Sequence, residues 1–124
     1  MTCSVLVVED DAIIALGLEA MLNGAGYRVV GPASSVAEAL PFANEELDAA
    51  ILDVNLARDL VYPVAEALAA ADVPFVLVTG QSMHSLPEQY RSRPIVNKPY
   101  EPLHLLDVLG CAIATHIHRR DPRT

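Results

Sequence analysis

The chain is 124 residues long, 52% hydrophobic, and carries 16 acidic against eight Lys and Arg side chains, for a formal charge of −8. That length suits one domain with one core. So acidic a balance excludes a nucleic-acid surface, which needs clustered Lys and Arg against phosphate. The apolar runs fall far short of the roughly 20 residues that span a bilayer, and the N-terminus lacks the basic n-region of a secretory signal. The only two cysteines, Cys3 and Cys111, lie far apart in the sequence, which suits a reducing compartment. A soluble, cytoplasmic protein with no membrane partner is expected.

Short apolar runs alternate with amphipathic ones along the chain. Residues 4–8 predict a first strand, closed by Glu9, Asp10 and Asp11. Over residues 12–23, Ile14, Leu18, Met21 and Leu22 recur at helical spacing, and Gly24 and Gly26 offer a stop. Residues 27–30 predict a second strand, polar at Arg28 and so nearer an edge. Ser35 and Glu38 have the spacing of a capping box that starts a second helix, in which Pro41 would introduce a kink. Residues 48–53 read as a third strand, its apolar run ending abruptly on Asp53; the unbroken run implies burial on both faces.

The second half repeats the alternation. Residues 61–71 are Ala-rich and predict a third helix, with Pro63 tolerable only in its first turn. Residues 74–79 form a fourth strand ended by Gly80, and the weak periodicity of residues 81–93 predicts a short or mobile fourth helix. A short fifth strand over residues 93–97 is opened by Pro94, which suits an edge. The fifth helix spans residues 102–118, with Leu106, Leu109, Ile113 and Ile117 as its inner stripe. Leu105, Val108 and Ala112 form a second stripe that reads equally as a docking face or a broad core face. Arg119, Arg120 and Arg123 follow, where positive charge complements the helix dipole. His104, His116 and His118 read as surface histidines, since positions two apart on a helix face different ways.

Five strands alternating with five helices imply an α/β fold, a doubly wound five-stranded parallel sheet with right-handed crossovers. In the flavodoxin-like order 2-1-3-4-5, the first and third strands flank the switch point, where open sheets bind ligands beyond the strand carboxyl ends. Those ends would gather Glu9, Asp10 and Asp53, with Thr79 and Lys98 nearby. Two carboxylates 4 Å apart repel by about 4 kcal/mol at an effective dielectric near 20, so a cation is called for. Hard oxygen donors with room for water favour Mg²⁺. Lys98 could then hold one phosphoryl oxygen and Thr79 another, around a carboxylate able to form an aspartyl phosphate. Strand geometry alone does not separate nucleophile from metal ligand at Asp53.

The motifs V-V-E-D-D (residues 7–11), I-L-D-V-N (51–55), V-T-G (78–80) and N-K-P-Y (97–100) together resemble the receiver domains of two-component response regulators. The resemblance covers residues 4–118, and its strength lies in four motifs in order at strand ends. It implies that Asp53 accepts a phosphoryl group from a sensor histidine kinase or phosphotransfer protein, in a reaction the domain itself catalyses, as it does the later dephosphorylation. It further implies that Asp10 binds Mg²⁺ directly and Glu9 through water, that the backbone carbonyl of Asn55 and Asp53 itself complete the metal ligands, and that Thr79 is the switch hydroxyl and Lys98 the phosphate-contacting lysine. A cis Lys98–Pro99 bond and a downstream protein partner are implied too. The wording from residue 55 to residue 80 is similar to small single-domain receivers with a Phe-Ala-Thr-Gly signature, although Val78 replaces the signature's Ala. Most receivers carry an aromatic residue three positions before the lysine, where this chain has Ile95; Tyr100 is a candidate substitute.

Taken singly, each of these residues has a plainer reading. Asp10 or Asp11 could cap the first helix, and Thr79 and Lys98 could be an ordinary strand residue and a solvated lysine. Met1 opens directly on the first strand and six residues follow His118, which favours a stand-alone domain of residues 1–124 over one excised from a larger regulator or hybrid kinase. A flavodoxin-like flavin binder is disfavoured because Glu9, Asp10 and Asp11 occupy the place of a phosphate loop. A phosphatase with an Asp nucleophile is disfavoured because Asn55, not a second acid, stands two residues after Asp53.

Overall fold

The computed structural model describes residues 2–120. Five strands, β1 (Ser4–Val8), β2 (Arg28–Ala33), β3 (Ala49–Asp53), β4 (Phe75–Thr79) and β5 (Ile95–Asn97), form one parallel sheet in the order β2-β1-β3-β4-β5. Every residue of β1, β3 and β4 is buried, as their unbroken apolar runs require. Alternation along each strand divides the core in two. Leu6, Val8, Ala50, Leu52, Phe75 and Leu77 face one side; Val5, Val7, Ala49, Ile51, Val76 and Val78 face the other.

Among the described residues four α-helices cover the sheet, one fewer than the sequence predicts. Helix α1 (Ala12–Gly24) starts at Asp11, whose carboxylate accepts from the N–H groups of Ile13 and Ile14. Helix α2 (Val36–Ala39) is capped by Ser35 and passes at Pro41 into a 3₁₀ turn, Leu40–Asn44. The Glu38 side chain takes the N–H and hydroxyl of Ser34 rather than the backbone of Ser35. Helices α2 and α3 (Tyr62–Ala70) cover the first face, and α1 and α4 (Pro102–Arg120) the second. The missing helix is the predicted fourth. Residues 81–93 form two 3₁₀ turns, Met83–Ser85 and Glu88–Tyr90, because Pro87 divides the segment and only Leu86 and Tyr90 turn inward.

Three further expectations are revised. The inner face of α4 is Leu105, Leu109, Ala112 and Ile113, so the second stripe largely belongs to the core; Ile117 is 55% exposed. The helix continues through Arg119 and Arg120 instead of stopping at His118, while Arg123 lies outside the described residues. Strand β2 runs three residues further than predicted. Gly31 makes that possible: at φ +90° a Cβ there would stand 2.8 Å from the Ala33 nitrogen and 3.1 Å from the Val7 oxygen. The close approach carries β2 along β1 to Ala33, whose carbonyl meets the first residue beyond β1.

Candidate functional site

The site is assembled from backbone outward. The N–H of Glu9 donates to Ala33 O at 2.9 Å, which fixes the chain just past β1, and the Asp11 N–H donates to Glu9 Oε2 at 3.1 Å. At the end of β3, the Val54 N–H donates to Val78 O at 2.9 Å, and the Asn55 N–H reaches Asp53 Oδ1 at 3.3 Å. At the end of β5, the Lys98 N–H donates to Thr79 O at 2.8 Å, and the Lys98–Pro99 bond is cis. Glu9, Asp53 and Lys98 are thus each set beside a strand-end hydrogen bond.

Carboxylate oxygens of Glu9, Asp10 and Asp53 lie within 4.8 Å of one another, although Glu9 and Asp53 are each only 4% exposed. Lys98 Nζ is 3.1 Å from Asp53 Oδ2 and 3.9 Å from Glu9 Oε1. One ammonium against three acids leaves a deficit of positive charge, and each acid pair at that spacing repels by about 3 kcal/mol at an effective dielectric of 20. Glu9 registers the strain: burial, and then the neighbouring Asp53, push its carboxyl up to about 7 against the pull of the Asp11 N–H and of Lys98. Burial alone would lower the Lys98 ammonium, but the hydrogen bond and charge of Asp53, helped by Glu9, hold it above its ordinary value. The donor set, carboxylates only and gathered at one open strand-end edge, fits a hard divalent cation. Beside Asp10 an open cleft is lined by Ser34, Ser35 and residues 56–59.

Thr79 stands apart from this cluster. Asp53 pairs with Val78 in the sheet and alternates to the face of Ile51, whereas Thr79 alternates to the face of Leu77. Its hydroxyl, fully buried, accepts the Gln81 N–H at 3.0 Å. Ile95, in the position an aromatic usually holds, packs half-buried against the α2/α3-side core. Tyr100 is half-buried against the other core, and burial and the charge of Glu9 raise its hydroxyl above the ordinary range. Among the histidines, His104 and His118 are exposed, and His116 Nε2 lies 3.8 Å from Asp72 Oδ2. The sequence reading missed Asn97, whose side-chain amide donates to Gln81 O at 3.0 Å and to Thr79 O at 3.4 Å. Its signals were its place at the head of N-K-P-Y and a polar side chain closing an edge strand.

Residues 5–110 match the family model described as the response regulator receiver domain. The phyllosphere-induced regulator PhyR of Methylorubrum extorquens is 29% identical over 119 residues, covering 91% of this chain and 44% of that protein; the chain spans about half the length of the curated relatives it matches. The solution structure of SdrG from Sphingomonas melonis Fr1 superposes with a TM-score of 0.74 at 41% identity, covering 94% of this chain and 97% of that one. The BeF3-activated conformation of SdrG from Pseudomonas melonis Fr1 gives a TM-score of 0.73 at 39% identity, covering 91% and 99%. With its fold, its strand-end acids and these likenesses in agreement, the chain belongs to the response regulator receiver domain family.

Proposed function

We propose that Asp53 is the phosphoryl acceptor of a Mg²⁺-dependent signalling switch. The observation that carries this reading is a nearly buried carboxylate with Lys98 Nζ at 3.1 Å and two further acids within 4.8 Å. An Asp53 oxygen attacks the phosphorus of a phosphohistidine on a sensor kinase or phosphotransfer protein; the P–O bond forms, the P–N bond breaks, and the departing imidazole takes up a proton. Glu9, Asp10, Asp53 and the Asn55 carbonyl are the groups to hold Mg²⁺, which when bound neutralises charge on the transferring group. Lys98 keeps its ammonium against an oxygen of that group, and its bridge to Glu9 keeps it at the acid cluster between transfers.

Output follows from differential contact. A phosphoryl group favours the conformation in which Thr79 and Lys98 both reach it. Thr79 begins on the other face of β4, so its hydroxyl must turn, and residues 81–93 are the adjoining segment able to reorder and dock a downstream protein. SdrG, described in a BeF3-activated conformation, supports beryllofluoride as a mimic for this chain. We read the chain as one receiver domain acting in the cytoplasm, whether alone or within a longer regulator. The test is intact mass after incubation with Mg²⁺ and a small phosphodonor. The parent protein is expected to gain one acid-stable, base-labile phosphoryl group and Asp53→Asn none; a variant that gains the same group overturns the assignment.

A further inference from the structure

Gln81, the second residue of the β4–β5 connection, is tied on both sides. Its N–H is held by the Thr79 hydroxyl at 3.0 Å, and its carbonyl by the Asn97 amide at 3.0 Å. Because both groups facing the amide are backbone carbonyls, which only accept, the Asn97 side chain must present its NH₂ there. The register pairs Thr79 with Asn97, so the two side chains stand on one face. Leu77 and Ile95, also paired, continue that face toward the core holding Leu86 and Tyr90. Further on, the Arg91 guanidinium donates to Leu86 O at 3.0 Å and His84 O at 3.2 Å, and Tyr90 stacks on Tyr62 with ring centroids 5.3 Å apart. The segment therefore has a firm inner anchor at Leu86 and Tyr90 and a two-bond tether at its start.

We propose that Asn97 is the latch that holds residues 81–93 in the resting arrangement. When Thr79 turns toward a group on Asp53, the Gln81 N–H loses its acceptor, and the Asn97 amide is the remaining side-chain hold on Gln81. Asn97 touches neither Asp53 nor the acids; it is a positioning residue acting through Gln81. This inference rests on the reading of Asp53 as acceptor. It gives a sign that a merely structural role would not: removing a resting-state bond shifts the population toward the active arrangement and so tightens binding of an activating group.

The experiment uses beryllofluoride with Mg²⁺ on the whole chain, with binding followed by fluorine NMR and amide exchange measured across residues 81–93. The variants are Asn97→Leu, which keeps the branched side-chain shape and removes the amide, and Asn97→Ala. Loss of one net hydrogen bond from the resting state is expected to tighten beryllofluoride binding by up to about fivefold. Without beryllofluoride, exchange over residues 81–93 should already approach that of the beryllofluoride-bound parent. An affinity within twofold of the parent or weaker, or resting exchange equal to the parent's, overturns the latch. If the parent itself takes up no beryllofluoride, the acceptor reading falls and the latch with it.

Discussion

The strand ends that carry Glu9 and Asp53 and the connection from β4 to β5 share one edge of the sheet but are held in opposite ways. The acids grow from strands buried along their whole length and are pinned by backbone hydrogen bonds to Ala33 and Val78. The connection has Leu86 and Tyr90 inside and is otherwise made of 3₁₀ turns with exposed side chains. A rigid frame can keep like charges a few ångströms apart, where a loose one would let them separate. A segment with few buried contacts, by contrast, opens at low free energy. Chemistry and response are thus assigned to parts of different stiffness.

That contrast can be broken first at the anchor. Tyr90 is 5% exposed, stacks on Tyr62 and meets Phe75 edge-on at 6.2 Å. Tyr90→Ala is expected to cost about 3 kcal/mol in urea unfolding, while phosphoryl uptake by the folded protein persists. A loss below about 1 kcal/mol would mean that the connection is not anchored there. The site is addressed next by Mg²⁺, which relieves carboxylate repulsion only in the folded state. At 100 times its dissociation constant it should add about 2.7 kcal/mol, seen as a raised Tm that Asp53→Asn diminishes. An unchanged Tm at millimolar Mg²⁺ counts against a metal at these acids.

The two regions are also separated by pH. The Glu9 carboxyl is raised to about 7 in the folded protein from an ordinary 4.5, so the folded state binds the extra proton. Its contribution to stability is full below pH 4.5 and is lost as pH rises through 7. Without metal, stability should therefore fall across this window. Glu9→Gln should flatten the fall, and Mg²⁺ should oppose it by favouring the ionised form. Chemical unfolding at several pH values reads all three, and a parent profile as flat as that of Glu9→Gln would remove the cause assigned here.

The same division governs what the sequence discloses. The parallel sheet and the gathering of Glu9, Asp10, Asp53 and Lys98 were legible because buried strands announce themselves as unbroken apolar runs, and the polar residues ending them must then meet at one edge. The predicted fourth helix failed where that logic gives out, since residues 81–93 hold only two inward side chains, Leu86 and Tyr90, around Pro87. The inner face of α4 was right at Leu109 and Ile113 and wrong at Leu106 and Ile117. Its apolar residues cover a broad arc, and only packing against β1, β3 and β4 selects Leu105 over Leu106. The role of Asn97 was invisible because its partners are main-chain carbonyls, which leave no trace in side-chain pattern.

The central claim is that the acid closing β3 takes the phosphoryl group. Borohydride reduces an acyl phosphate to the alcohol, so protein charged by a small phosphodonor with Mg²⁺, treated with borohydride and sequenced by tandem mass spectrometry carries a permanent mark. The account predicts homoserine at position 53 and unmodified acids at positions 9 and 10. Homoserine at another position, or none in a protein that has gained phosphate, would contradict it.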